Sequence, residues 1–321
     1  MSDGMNRKEV LSEIRGILTN IGFSVSEPHS IRSISFDIVA RRDDVLLIIK
    51  VLGNVDAFNS ENAKELQVIA NLLMGSPFII GSKSSTSDIE NGVVYYRHGI
   101  PIISMGTFKD FFLEEVPPFV FAAPGGLYVH IDGELLRDIR EHNQLSLGSL
   151  AEAAKVSRRS IQLYESGMGA MVDAALRIEE FLKTPLILPI NPLKCYAKTE
   201  KERDQWIDSF EKFEGLEKDV FHRLNALGYN ILPTTKSPFD ALTKDEKTLI
   251  LTSVEHYDGT LKKRARVVTN ISKVVEKHSV IFVEKSKKIS LEGTPLIGKK
   301  ELSKIDDSEG ILELILERKG K

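Results

Sequence analysis

The run Ser157-Arg158-Arg159-Ser160-Ile161-Gln162 gathers three long, multi-donor side chains at the start of a short helical pattern. Ser157 has the hydroxyl that a helix N-cap needs, so the helix is expected over 158–166, with Ile161 and Tyr164 inward and Arg158, Arg159 and Gln162 outward. A guanidinium offers a planar fork of N–H donors, and a carboxamide offers a donor and an acceptor. A face carrying them can meet base edges and phosphates in a DNA major groove. Two other groups of residues could do chemistry. Asp37 and Lys50 stand on the arms of a predicted hairpin, and the stretch Gly259 to Arg266 carries Lys262, Lys263, Arg264 and Arg266.

The elements around the first group agree with its reading. Leu135, Leu136 and Ile139 are at helical spacing, and the pattern breaks at Asn143-Gln144. Ser146 then stands as the N-cap of a helix burying Leu147, Leu150, Ala151 and Ala154; Val156 plugs the turn before Ser157, and small Ala151 lets two helices cross closely. A last helix is expected over 172–183, with Ala175, Leu176, Ile178 and Leu182 inward. This order, and the segment VSRRSIQLYESG in particular, resembles the Cro and phage-repressor type of helix-turn-helix. The resemblance implies DNA contacts from Ser157, Arg158, Arg159 and Gln162, with Ser146 counted among the DNA-facing positions. Many members of that family have Gln at the start of the second helix, where this chain has Leu147. A capped helical hairpin used only for packing would share the turn, but it has no need of an outward Arg, Arg and Gln. From 132 to 182 the acids (Asp132, Glu134, Asp138, Glu141, Glu152, Glu165, Asp173, Glu179, Glu180) outnumber the bases (Arg137, Arg140, Lys155, Arg158, Arg159, Arg177), so phosphate neutralisation by one copy is weak.

Ahead of this segment, a helix over 8–18 with Val10, Leu11, Ile14, Ile17 and Leu18 on one face ends at Gly22. Strands are expected at 23–26, 33–40 and 45–52, then a helix over 61–74, strands at 78–81 and 100–104, and a helix from about Thr107. The order resembles the restriction-endonuclease-like fold, in which an Asp begins one arm of a hairpin and an acid-x-Lys triplet lies on the next. Phe36-Asp37 and Lys50 match, but the triplet is Ile48-Ile49-Lys50, and an aliphatic chain offers no ligand to a divalent cation. Glu13, Glu61 and Glu65 are the acids that could replace it.

The stretch 201–321 echoes the first part. LTNIGFSV at 18–25 returns as LNALGYNI at 224–231, Phe36-Asp37 as Phe239-Asp240, SPFII at 76–80 as SVIFV at 279–283, and Pro101-Ile102-Ile103 as Pro295-Leu296-Ile297. The triplet there is Leu251-Thr252-Ser253, so both acid and Lys are gone and only Asp240 remains. Gly259 to Arg266, with Lys273, Lys277 and the run Lys285 to Lys288, is the densest basic stretch; Lys262, Lys263, Arg264 and Arg266 read as accessory phosphate contacts or as a solvated face.

The expected fold class is multidomain α/β plus all-α. Restriction-endonuclease-like α/β domains at 1–116 and 201–321 form an internal repeat. They flank a central five-helix-type Cro/repressor-like helix-turn-helix at 132–183, with linkers at 117–131 and 184–200 where prolines and Pro124-Gly125-Gly126 cluster. The whole resembles a family of archaeal transcriptional regulators that carry a Cro-type domain inside a longer chain. Composition agrees: 321 residues, 42% hydrophobic and 28% charged, suit several soluble domains, and a net charge of −3 excludes bulk electrostatic nucleic-acid binding. A single cysteine, Cys195, excludes an intramolecular disulfide and a cysteine zinc site, and points to a reducing compartment. With no apolar leader or spanning run, the expectation is a cytoplasmic protein with no membrane partner. No two histidines make a zinc-hydrolase pair, there is no Walker loop, and neither metal nor cofactor is expected. The expected partners are double-stranded DNA, a second copy of the chain, because one helix-turn-helix reads too few bases, and the transcription machinery. The alternatives are a metal-dependent nuclease or resolvase that uses Asp37 and Lys50, and a purely protein-binding helical domain.

Overall fold

The computed structural model of the protein describes residues 7–27, 35–194, 210, 213–255 and 260–319. Cys195, His29, His256 and the end of the 184–200 stretch lie outside the described residues.

The chain opens with α1 (Arg7–Asn20), which buries Val10, Leu11, Ile14, Ile17 and Leu18 and stops before Gly22, whose φ of 88° is in the left-handed region. β1 (Ser24–Val25), β2 (Ile38–Arg42) and β3 (Val45–Asn54) pair antiparallel, with Ile38 opposite Ile49 and Arg42 opposite Val45. Every residue of β3 from Leu46 to Val51 is buried, which is the reason for its unbroken apolar run. α2 (Ser60–Leu73) turns Ala63, Leu66, Ile69, Ala70 and Leu73 inward. β4 (Ser76–Lys83) pairs parallel with β6 (Ile100–Ile103), and β5 (Val93–Arg97) pairs antiparallel with β6. β5 has no counterpart among the expected strands, because only Val93 and Val94 of its residues are buried and no apolar run marks it. α3 (Met105–Leu113) starts ahead of Thr107 because Ser104 is its cap, with the Oγ accepting from the Thr107 N–H.

The stretch 117–131 folds as a hairpin rather than a free linker: β7 (Val120–Ala123) pairs antiparallel with β8 (Gly126–Ile131) and parallel with β5. Proline-rich, glycine-turned composition suits an edge hairpin as well as a linker, and Val129 and Ile131 decide the matter by being buried. Four helices follow, α4 (Gly133–His142), α5 (Leu147–Ala154), α6 (Arg158–Glu165) and α7 (Val172–Leu182), with β9 (Ala170–Met171) ahead of α7. Where a five-helix unit would continue there is instead β10 (Ile187–Leu188), on the antiparallel edge of β8, since Pro185 and Pro189 leave no room for a helix.

Beyond 194 the described residues form α8 (Gly215–Ala226), β11 (Asn230–Pro233), β12 (Ala241–Lys244), β13 (Leu249–Glu255), α9 (Leu261–Val275), β14 (His278–Val283), β15 (Ser290–Leu291), β16 (Thr294–Gly298), α10 (Lys299–Leu302) and α11 (Ser308–Arg318). Phe221, Tyr229, Phe282, Ile311 and Ile315 centre its core.

Two compact units result, and the division runs through β3. One comprises residues 1–7, 51–59 and 77–197, and its sheet runs β3-β4-β6-β5-β7-β8-β10 with β9 added on β8. The other comprises residues 8–50, 60–76 and 198–321; it holds the β1-β2-β3 hairpin and a six-stranded sheet in the order β11-β12-β13-β14-β16-β15. Among the described residues no helix is long and apolar enough to cross a membrane.

Candidate nucleic-acid interface

The helical part of the first unit has its own core. Leu136, Leu150, Ala151, Ala154, Ile161, Tyr164, Ala175 and Ile178 pack together, and Val129, Ile131, Ala170 and Leu186 close it from the strand side. Leu147 and Val156 lie partly buried against it as the spacing requires, whereas Leu176 of α7 is exposed. Fully buried Ile161 anchors α6, and its truncation to Ala would cost about 3 kcal/mol.

Local hydrogen bonds fix how α5 and α6 begin. The Ser146 Oγ accepts from the Ser149 N–H at 3.0 Å, and the Ser157 Oγ accepts from the Ser160 N–H at 3.0 Å. Between the helices Lys155 has φ 55°, and its N–H donates to the carbonyls of Ala151 and Glu152 to end α5. The turn is three residues long, and it aims α6 across α5.

A further tie holds the far end of α6. The Glu165 carboxylate, buried among its neighbours, takes the Arg140 Nε at 2.5 Å on one oxygen and Nη2 at 3.1 Å on the other. Arg137 approaches it at 3.6 Å and donates to the Glu165 carbonyl. The hydrogen bonds that the Arg140 guanidinium donates to Glu165, followed by that residue's charge, push it further above its already high ordinary value. α4 also starts close to α6: a Cβ on Gly133 would sit 2.5 Å from the Tyr164 carbonyl oxygen. The acid counted against DNA at position 165 is therefore internal and neutralised. This clamp is not visible in the local pattern, because its partners stand 25 residues apart.

Ser157, Arg158, Arg159 and Gln162 are all exposed, as is Ser146. Among the described residues no carboxylate pairs with Arg158 or Arg159, and the side chain of Gln162 makes no hydrogen bond. The Arg158 guanidinium lies across Gly148 of α5, about 3.1 Å from where a Cβ would be. Gly148 is thus a seat for that side chain; its only sequence signal is a glycine in the first turn of an otherwise good helix. The exposed face of α6 is polar, cationic and built on a helix fixed at both ends.

The cations of α9 are placed differently. The Arg264 Nε donates to the Pro238 carbonyl at 2.9 Å, its Nη2 meets Asp240 at 2.5 Å, and its Nη1 pairs with Glu255. Lys262 pairs with Glu292 at 3.3 Å and Arg266 with Glu27 at 3.3 Å, both at exposed positions. Lys263 is exposed. Of the four accessory candidates Arg264 is the one held from all sides, so a phosphate would have to displace two carboxylates to reach it.

Asp37 and Lys50 are brought together. The Lys50 Nζ donates to the Asp37 Oδ1 at 3.3 Å, and the two side chains are only 10% and 3% exposed. The Asp37 N–H donates to the Ile49 carbonyl at 2.7 Å, and the Asp240 N–H donates to the Thr252 carbonyl at 2.9 Å, so both aspartates sit at the same point of a hairpin. Ile48, two residues before Lys50 and on its face of β3, is fully buried. Glu65 does not replace the missing acid: it accepts from the N–H groups of Thr235 and Lys236 and from the hydroxyls of Thr235 and Ser237. Glu61 pairs with Lys236 at 3.1 Å. Among the described residues no group of three or more His, Cys, Asp or Glu side chains is placed to hold a metal ion. At this point of the hairpin an aliphatic side chain, Ile48, stands where the second oxygen donor to a divalent cation would be needed.

Comparison with known proteins agrees with both halves of this geometry. The family model described as a PD-(D/E)XK superfamily domain matches residues 7–118, and the model described as a helix-turn-helix matches residues 136–188. No solved structure matches. A protein of Methanocella arvoryzae described as a candidate HTH-type transcriptional regulatory protein is 39% identical over 99% of this chain and 98% of its own length. One of Methanosarcina barkeri with the same description is 40% identical over 98% of each chain, and one of Natronomonas pharaonis is 40% identical over 98% of this chain and 99% of its own. With a PD-(D/E)XK-type α/β domain ahead of a helix-turn-helix, and this identity along nearly its whole length, the chain belongs to the family of archaeal HTH-type transcriptional regulatory proteins.

Proposed function

We propose that the chain is a sequence-specific double-stranded DNA-binding regulator of transcription that reads the major groove with the helix from Arg158 to Ser166, and that it does so without catalysis. One observation carries the reading: Arg158, Arg159 and Gln162 are exposed and unpaired on a helix anchored by Ile161, capped by Ser157 and tied down by the Glu165–Arg140 pair. Ser146 and Ser157 flank them at the N-termini of α5 and α6, where hydroxyls and free N–H groups suit phosphate contact. Lys262, Lys263 and Arg266 are weaker accessory candidates, and Arg264 is a structural residue.

The α/β parts serve as scaffold in this reading. They are related as repeats, supported by the matching hydrogen bonds at Asp37 and Asp240 and by the common run of a hairpin, a crossover helix and two parallel strands. The domains we assign are 1–116, 132–183 and 201–321, the β7–β8 hairpin being an extension of the second. Because one short helix contacts few base pairs, the working species is a homodimer on paired half-sites; the transcription machinery is its downstream partner.

Selection of bound duplexes from random DNA tests this. A palindromic consensus is expected, and a bound pool no different from the input would refute it. The PD-(D/E)XK match favours one competing activity, phosphodiester cleavage. Incubating supercoiled and branched DNA with Mg²⁺ or Mn²⁺ should leave it intact; cleavage that is lost in Asp37→Ala would replace this reading with a nuclease.

A further inference from the structure

The basic run at 285–288 is placed unlike the α9 cations. Lys285, Lys287, Lys288 and Lys300 are exposed, and among the described residues none of their side chains has an ion pair or hydrogen bond. They line one cleft of about 360 Å³ at the end of β14. Ser286 shapes the loop, its Oγ donating to the Lys288 carbonyl at 2.9 Å and accepting from the Lys288 N–H at 3.0 Å.

Arg318 lines the same cleft and is 8% exposed. Its Nη1 donates to the Leu296 carbonyl and to Glu301, but its buried Nε has no hydrogen-bond partner. With the Arg318 Nε covered from solvent, the ammonium groups of the four exposed lysines are the donors open to an anionic oxygen. Five cations there face two carboxylates, Glu284 and Glu301, and Glu301 is already paired with Arg318.

We propose that this cleft is a second DNA contact, taking backbone phosphates between Lys285, Lys287, Lys288 and Lys300. The proposal rests on the DNA-binding reading above. Backbone phosphate is favoured over a small phosphorylated ligand because hydrated ammonium groups on flexible stems follow a repeating charge and do not fork around one fixed anion. The acid excess over 132–182 leaves the helix-turn-helix in need of cations from elsewhere. The cleft supplies them, whereas α9 has most of its own in ion pairs.

The test is the salt dependence of binding by the full chain to a duplex several helical turns long. Each phosphate left without its lysine flattens the slope of log K against log salt by about 0.9, so replacing all four lysines with Gln flattens it by about 3.6. Replacing them with Arg restores the slope, and Lys247→Gln, at an exposed lysine paired with Glu309, leaves it alone. A Gln variant that unfolds at the wild-type midpoint and binds with the wild-type slope overturns the proposal. So does inorganic phosphate raising the unfolding midpoint of wild type but not of the Gln variant while the slope stays put, which would make the cleft a small-anion site. The variant with Arg158, Arg159 and Gln162 changed to Ala separates this from the parent reading. If it loses sequence preference while the lysine variant behaves as wild type, only the cleft fails; if it keeps the preference while the lysine variant loses slope, the cleft stands and the recognition helix fails.

Discussion

Two helices of this protein carry dense cationic groups, and they differ in what the cations touch. On α6, Arg158 and Arg159 reach solvent with no carboxylate beside them, and the helix is secured instead by Ser157 at one end and Glu165 at the other. On α9, Arg264 lies between Asp240 and Glu255, and Lys262 and Arg266 each have an acid. Sequence density of positive charge therefore does not identify a ligand surface. An arginine held by carboxylates contributes to the fold, and one kept free of them is available to a partner.

Substitutions can break or sharpen that contrast, because a paired cation should matter to stability and a free one to affinity. The largest expected effect is at the buried pair: Lys50→Met removes the ammonium that donates to the enclosed Asp37 carboxyl group and should cost about 3 kcal/mol in urea unfolding, most of it recovered in Lys50→Met with Asp37→Asn. Glu165→Gln removes the buried one of Arg140's two carboxylate partners and should cost about 2 kcal/mol, loosening α6 and weakening DNA binding through it. Arg264→Ala uncovers Asp240 and Glu255, each partly solvated, and should lower stability by about 2 kcal/mol while the salt slope of binding stays at the wild-type value. At the small end, Lys262→Ala or Arg266→Ala should shift stability by less than about 0.5 kcal/mol, since both pairs are solvent-screened. A large loss for Arg266→Ala, or a flattened slope for Arg264→Ala, would erase the distinction between the two helices.

What was legible in the sequence is what local chemistry determines. Ser104, Ser146 and Ser157 act as caps within three residues of their partners, so helix starts could be read directly or corrected by two residues. The stripe formed by Ile161 and Tyr164 set the outward face of α6 without any knowledge of the neighbours. The hairpin of β7 and β8 was not legible, since prolines and glycines mark extended edge backbone and free linker alike, and only pairing with β5 separates them. The fate of Arg264 was also hidden, because Asp240, just ahead of β12, and Glu255, at the end of β13, are delivered from other parts of the chain. The same holds for Glu65, which looked available to a metal and is bound to the 235–237 loop.

The most direct test of the recognition helix is an anisotropy titration of a selected duplex with wild type and with Arg158→Ala, Arg159→Ala and Gln162→Ala, singly and combined, beside their unfolding curves. If these side chains read bases, truncating any one of them should weaken binding by about tenfold or more with the unfolding midpoint unchanged. A triple variant that folds as wild type and binds the selected duplex equally well would contradict the account.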